Sequence, residues 1–134
     1  MNGCFADTFF FLALLDRRDE HHSRVTAFAA KYRGTVVTTR WVLAETANML
    51  GVTPVRMQSA SLLQTIEKAR GFQIIRESDR IYERGVALYA GRPDKSWSLT
   101  DCISFVAMEE NGLREALTGD RHFGQAGFVA LFAD

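Results

Sequence analysis

The sequence has few features of a secreted, metal-clustered or strongly basic protein. Its 134 residues include two cysteines and two prolines, and 16 acidic residues balance 16 basic ones. Cys4 and Cys102 lie too far apart in sequence for a zinc or redox motif, so we expect both to be buried, reduced thiols. The zero net charge argues against the broad basic surface expected of a protein that binds duplexes without regard to sequence.

Membrane and export signals are also lacking. The apolar run over residues 9–15 is too short to span a bilayer. It follows Asp7 rather than a basic segment and has no small-residue cleavage site at its end, which argues against a signal peptide. We therefore expect a cytoplasmic protein with no membrane segment.

What the sequence does contain is an alternation of short strands and amphipathic helices. Strands are predicted over residues 3–6, 35–38, 72–75, 116–118 and 128–132. A first helix is predicted to begin at Asp7-Thr8 and to run through Leu15. Five more helices are predicted over residues 20–32, 40–50, 53–70, 78–90 and 98–111, and Pro54 would lie at the first helical position of the fourth helix. This alternation predicts one α/β domain over residues 1–134, with three layers and a central, mostly parallel sheet of about five strands flanked by helices.

Four acidic residues would meet at one edge of this sheet. Asp7 and Asp120 follow strands, Glu45 lies in an apolar helix after a strand, and Asp101 lies in the first turn of a helix. Ligands of open parallel sheets bind at the carboxyl ends of the strands. Carboxylates at roughly 4 Å repel by about 4 kcal/mol per pair at an effective dielectric near 20, so such a cluster needs protons or a cation. Oxygen ligands favour Mg²⁺ or Mn²⁺, which can promote phosphodiester hydrolysis.

Each acid also has a simpler interpretation. Asp7 could cap the first helix, Asp101 could form a capping box with Ser98, and Asp120 could be a turn residue after Gly119. Glu45 could be solvated at the edge of its helix. We expect Asp94 to be a solvated loop residue, and we expect a capping or solvent-exposed role for His122.

Taken in order, the acidic motifs resemble those of the PIN (PilT N-terminal) domain family. The resemblance rests on Asp7-Thr8, on Glu45 within residues 42–48, on Ser98-Leu99-Thr100-Asp101, and on residues 117–123 around Asp120. It covers essentially the whole chain, whose size is similar to that of the small VapC-type toxins of bacterial toxin–antitoxin pairs.

The resemblance implies a metal-dependent ribonuclease. Asp7, Glu45, Asp101 and Asp120 would hold Mg²⁺ or Mn²⁺ and be the catalytic residues. Thr8 and Thr118 would orient the carboxylates or a water molecule at the metal, and Ser98 would hold the start of the Asp101 helix. The implied partners are an RNA substrate, a small antitoxin protein and a second copy of the chain in a homodimer. The basic residues nearest the inferred edge, which could contact RNA phosphates, are Arg40, Arg92, Lys95 and Arg121.

Three other functions are compatible with an acidic pocket on a parallel sheet. An aspartate-based phosphatase would need a second acid two residues after Asp7, where the sequence has Phe9. A phospho-receiver domain would need a lysine after a late strand, where the sequence has Asp120-Arg121. A non-catalytic PIN-like module that binds RNA or protein would be expected to have lost one or more of the acids, and all four are present.

Overall fold

A computed structural model describes residues 2–134 of the chain, and within this range strands and helices alternate as predicted. The strands are β1 (Cys4–Ala6), β2 (Val36–Thr39), β3 (Phe72–Ile75), β4 (Glu115–Leu117) and β5 (Val129–Ala130). The helices are α1 (Thr8–Leu15), α2 (His22–Lys31), α3 (Arg40–Leu50), α4 (Arg56–Thr65), α5 (Asp79–Gly91), α6 (Leu99–Glu110) and α7 (Arg121–Gln125), with a 3₁₀ turn at Ile66–Lys68.

The strands form one parallel sheet in the order β3-β2-β1-β4-β5. The chain builds outward from β1 through β2 to β3, and then crosses to the other side of β1 to form β4 and β5. The order therefore reverses between β1 and β4, where Phe5 pairs with Ala116 and Ala6 with Leu117. A reversal of this kind opens a crevice at the carboxyl ends of the two strands. Asp7 and Asp120 follow these two strand ends, so the topology brings them together.

The core lies between the sheet and helices α1 and α6. Phe5, Phe10, Phe11 and Phe123 are fully buried, and every residue of α6 from Cys102 to Met108 is buried. Cys4 and Cys102 are both buried and unpaired, as predicted. None of the helices within residues 2–134 has the length and apolar character needed to cross a membrane.

Helix α5 packs unusually close to α6. A β-carbon added at Gly85 would lie 2.6 Å from Cγ1 and 3.1 Å from Cα of Ile103. Only glycine permits this approach of the α5 backbone to α6, the helix whose first turn carries Asp101.

The predicted start of the fourth helix was wrong. Pro54 precedes α4, which begins at Arg56, because the side chain of Thr53 forms a local turn instead. Its Oγ1 donates to the carbonyl of Leu50 at 2.7 Å and accepts from the N–H of Val55 at 3.3 Å.

Two further differences lie near the end of the chain. Helix α7 was not predicted, and β5 is shorter than the predicted strand over residues 128–132. The backbone N–H groups of Leu131 and Phe132 nevertheless still donate to Ala116 and Thr118, both at 2.9 Å. The segment therefore stays attached to β4 beyond the two residues that form β5.

Candidate metal centre

Asp7 is a buried carboxylate, and only one of its two oxygens has a hydrogen-bond partner among residues 2–134. It lies between β1 and α1 and is 7% exposed. Its Oδ2 accepts a hydrogen bond of 2.9 Å from Oγ1 of Thr118, and its buried Oδ1 has no partner among residues 2–134. Burial raises the pKa of Asp7 well above its usual value, and the nearby charges of Asp120 and Asp101 raise it further.

Thr118 connects Asp7 to Asp120. While its hydroxyl donates to Asp7, the same oxygen accepts from the backbone N–H of Asp120 at 2.9 Å. Gly119 lies between them, and a β-carbon there would lie 2.8 Å from the ring of Phe9. The glycine therefore lets the backbone pass Phe9 closely, so that the chain after β4 turns toward Asp7.

Asp101 forms the predicted capping box and also lies among the other acids. Ser98 Oγ accepts from the N–H of Asp101 at 3.0 Å, and Oδ2 of Asp101 accepts from the N–H of Ser98 at 3.1 Å, which completes a capping box. The same carboxyl group lies among the other acids. Burial is the main cause of its raised pKa, and the charge of Asp120 raises the pKa further.

His122, for which a capping or solvent-exposed role was expected, contacts two of the acids. Its Nδ1 lies 3.1 Å from Oδ2 of Asp101 and 3.4 Å from Oδ1 of Asp120. These three residues can each offer one ligand atom within 4.8 Å of the others, and each is partly buried. The backbone N–H of His122 also donates to Oδ1 of Asp120, which caps α7. Predicting a helix that begins after Asp120 would have placed His122 in its first turn, close to that carboxylate. Because α7 has only five residues, no apolar periodicity in the sequence indicates it.

Glu45 joins the site through Thr8. It is partly exposed on α3, and its Oε1 accepts a short hydrogen bond from Oγ1 of Thr8, the residue after Asp7. Neither Glu45 nor Asp7 belongs to the cluster of three formed by Asp101, Asp120 and His122. Asp7 is nevertheless near enough for the charges of Asp101 and Asp120 to affect its pKa.

The four basic residues proposed as phosphate contacts have different surroundings. Arg40 is paired with Glu67 at 2.6 Å and Glu77 at 3.6 Å, so its charge is already balanced. Arg121 is exposed at the start of α7, next to Asp120.

Arg92 and Lys95 lie in the loop between α5 and α6. Arg92 is paired with Asp94 at 2.9 Å, and its guanidinium carbon lies 5.2 Å from the ring centre of Trp97. Lys95 Nζ lies 5.9 Å from the same ring centre. The RNA contacts of all four basic residues remain predictions.

The site has the chemistry expected of a divalent-cation site. It combines carboxylate oxygens, one imidazole, an unpartnered buried oxygen on Asp7 and two acids whose pKa values are raised. A buried carboxylate without a partner is costly while it is charged, unless a cation neutralises it. Hard oxygen donors with a single nitrogen suit Mg²⁺ or Mn²⁺.

Comparison with known proteins identifies the family. The model of the PIN domain family matches residues 4–129. The chain belongs to the PIN domain family. This confirms the resemblance inferred from the four acidic motifs, and the five-stranded parallel sheet agrees with the predicted fold.

Two solved structures share this fold. VapC20 from Mycobacterium tuberculosis, a toxin that cleaves the sarcin–ricin loop, is 24% identical, with a TM-score of 0.88 over 96% of this chain and 98% of that one. FitAcB from Neisseria gonorrhoeae is 19% identical, with a TM-score of 0.65 over 96% of this chain and 95% of that one. No curated protein sequence matches the chain.

Proposed function

We propose that the protein is a metal-dependent endoribonuclease that hydrolyses RNA phosphodiester bonds as the toxin of a type II toxin–antitoxin pair. The observation that carries this proposal is the buried, unpartnered Oδ1 of Asp7 beside Asp101 and Asp120. Membership of the PIN family supports a nuclease, and the similarity to VapC20, itself an RNA-cleaving toxin, supports RNA as the substrate.

In this proposal Asp7, Glu45, Asp101 and Asp120 hold Mg²⁺ or Mn²⁺. The ion would neutralise charge on the phosphoryl oxygen and lower the pKa of a water molecule that attacks phosphorus. Thr118 fixes the rotamer of Asp7 by its hydrogen bond, and Thr8 does the same for Glu45.

Two other residues position Asp101. Ser98 holds its backbone and carboxyl group in the capping box, and His122 contacts both Asp101 and Asp120. We assign His122 to positioning these two carboxylates, because its Nδ1 lies within 3.4 Å of both.

The charge of the proposed substrate agrees with this division of roles. The carboxylates repel RNA phosphates, so a bound cation should strengthen RNA binding, whereas basic residues contribute to binding with or without the ion. Basic residues beside the acids would then hold the flanking phosphates without selecting sequence. All four basic residues remain proposed contacts, but Arg40 would first have to leave Glu67 and Glu77, and Arg92 would have to leave Asp94.

The proposed partners follow from the same family assignment. We propose that a small antitoxin protein covers the acidic crevice, that the toxin forms a homodimer, and that it acts in the cytoplasm. Light scattering of the purified protein measures its oligomeric state directly.

Cleavage of RNA tests the proposal. Purified protein is incubated with a mixed RNA pool and with a sarcin–ricin loop hairpin, in Mn²⁺ and in EDTA. The variants are Asp101→Asn and, as a matched control at the other end of α6, Glu109→Gln. We expect Mn²⁺-dependent cleavage that EDTA and Asp101→Asn abolish and Glu109→Gln retains. Equal behaviour of wild type and Asp101→Asn would contradict the proposal and favour a non-catalytic PIN-like binding module.

A further inference from the structure

A cleft of about 630 Å³ lies beside the acidic centre, between the end of α5 and the start of α6. We call it the α5–α6 cleft; its lining residues are Tyr89, Arg92, Pro93 and residues 95–99. Its volume lies within the range of about 300 to 1,000 Å³ that is typical of small-ligand sites. None of the acids of the candidate metal centre lines it, so it is a neighbouring site.

Two contacts connect the α5–α6 cleft to the metal centre. Ser96 Oγ lies 3.3 Å from Nε2 of His122, whose other ring nitrogen contacts Asp101 and Asp120. Ser98, at the end of the cleft, forms the capping box with Asp101. A molecule bound in the cleft would therefore lie directly beside the carboxylates.

The two aromatic residues of the cleft differ in exposure. Trp97 is 6% exposed and fixed in place, since its Nε1 donates to Oε1 of Gln125 at 3.0 Å and its ring packs edge-on against Phe105. Tyr89 is 53% exposed, although large aromatic side chains gain free energy from burial. The ring of Tyr89 is therefore accessible to a ligand, whereas Trp97 anchors the loop through its contacts with Gln125 and Phe105.

The loop also brings a positive charge to the cleft. Arg92 is paired with Asp94, but Lys95 forms no salt bridge with any residue in the range 2–134. The backbone N–H of Lys95 donates to the carbonyl of Arg92 at 3.1 Å, and both cations lie over the ring of Trp97. Because these contacts order the loop in advance, little conformational entropy would be lost on binding.

We infer that the α5–α6 cleft binds an unpaired nucleotide of the RNA next to the cleaved bond, with its base stacked on Tyr89 and its phosphate at Lys95. The inference rests on the proposed ribonuclease function. Tyr89 and Lys95 line the same cleft, and an exposed aromatic ring and a cation in one groove are features that proteins use to bind single-stranded RNA, whose bases are free to stack. Bases within a duplex cannot present their faces in this way. Tyr89 thus selects for unpaired RNA at the site of cleavage.

Binding measurements on two strands test this inference. Fluorescence anisotropy in EDTA measures affinity for an unstructured RNA of mixed sequence and for an abasic ribose-phosphate strand of equal length. The variants are Tyr89→Ala, Tyr89→Phe and, as a matched control, Tyr82→Ala, which removes a tyrosine of α5 that is 45% exposed but outside the cleft.

The variants should differ in their affinities for the RNA and for the abasic strand. Tyr89→Ala should weaken binding of the RNA by about fivefold or more, as for other stacking residues, and should not affect the abasic strand. Tyr89→Phe and Tyr82→Ala should bind both strands as wild type does. Replacing Lys95 by Gln should lower the slope of log affinity against log salt concentration by about 0.7, whereas Tyr89→Ala should leave the slope unchanged.

Three results would overturn the inference. Equal effects of Tyr89→Ala and Tyr82→Ala would do so, as would equal losses on RNA and abasic strands. A change of oligomeric mass in Tyr89→Ala, measured by light scattering, would show instead that Tyr89 belongs to an interface between protein chains. Because binding is measured without cleavage, the expected pattern in a protein that cuts no RNA would refute the ribonuclease proposal and leave the nucleotide site standing.

Discussion

The two ends of α6 carry acidic residues in opposite surroundings. At the carboxyl end, Glu110 is paired with Arg80 at 3.2 Å and, more closely, with Arg84, which also reaches Glu109 at 3.4 Å. At the amino end, Asp101 faces Asp120 and Asp7, and the only basic side chain paired with it in residues 2–134 is that of His122. One helix thus joins a neutralised cluster to one with excess negative charge.

This difference agrees with the proposal that Asp101 and Asp120 bind a cation, whereas Glu109 and Glu110 stabilise the fold. Glu109 and Glu110 lie at the end of α6 where its dipole disfavours negative charge, and arginines of α5 compensate for it. Asp101 lies at the favourable end, but its burial beside Asp120 outweighs this advantage and raises its pKa. The acidic cluster at the amino end of α6 therefore has less positive charge around it than the cluster at the carboxyl end, and a cation from solution can supply the difference.

Removing the hydroxyl of Thr118 should impair the acidic centre strongly. Thr118 holds Asp7 and the backbone of Asp120 together, and loss of such a supporting contact typically costs about 10- to 100-fold in metal affinity or activity. We expect that loss for Thr118→Val in Mn²⁺ affinity, measured by calorimetry, and in the rate of RNA cleavage. Thr118→Ser keeps the hydroxyl and should remain close to wild type. Values within twofold of wild type for Thr118→Val would show that Asp7 needs no such support.

The α5–α6 contact should depend on close packing more than on its ion pairs. In Gly85→Ala the new methyl group meets Ile103, and overpacking of this kind costs about 1–3 kcal/mol. Urea unfolding measures the change. Gly91→Ala is the matched control, because a β-carbon at this position of the same helix meets nothing within 4 Å. Equal stabilities for the two variants would contradict the close approach of α5 to α6.

Metal-free protein should lose stability as pH rises. Asp7 and Asp101 have raised pKa values in the folded state, so above the unfolded-state pKa, near 3.8, the native protein keeps protons that the unfolded chain has lost. The contribution of these two groups to the free energy of unfolding must therefore fall with increasing pH until their folded-state pKa values are passed. Melting temperatures in EDTA between about pH 4 and about pH 8 measure this slope. Asp7→Asn should have a shallower slope, and an unchanged slope would show that Asp7 does not titrate as described.

The smallest effect is expected at the paired end of α6. Glu110→Gln removes the charge that Arg80 and Arg84 share, but partly exposed pairs contribute little. We expect a melting temperature within about 2 °C of wild type and unchanged RNA cleavage. A large loss of either would mean that both ends of α6 serve the same function.

Much of the fold was predictable because its signals are local. Thr39, Ser78 and Ser98 each accept from a backbone N–H three residues ahead, and all three helix starts were predicted from this capping pattern. Pro54 shows the limit of local signals, since the side chain of Thr53 competes for the same backbone groups and delays the helix to Arg56.

The site was predictable only in outline. Strand ends and helix starts placed the four acids at one edge, because a parallel sheet collects its carboxyl ends there. The unequal burial of Asp7 and Glu45, and the contact of His122 with two acids, depend on how α1, α3 and α7 pack around the crevice. No periodicity in the sequence reports such long-range contacts.

Titration of the metal-free protein with Mn²⁺ in a calorimeter tests the central claim most directly. Wild type and Glu110→Gln should bind Mn²⁺ alike and release protons, because the metal displaces them from carboxyl groups whose pKa values are raised. Asp7→Asn should lose most of this binding and of the accompanying proton release. Binding of Mn²⁺ by Asp7→Asn with wild-type affinity would contradict the claim that the unpartnered Asp7 carboxylate belongs to a metal centre.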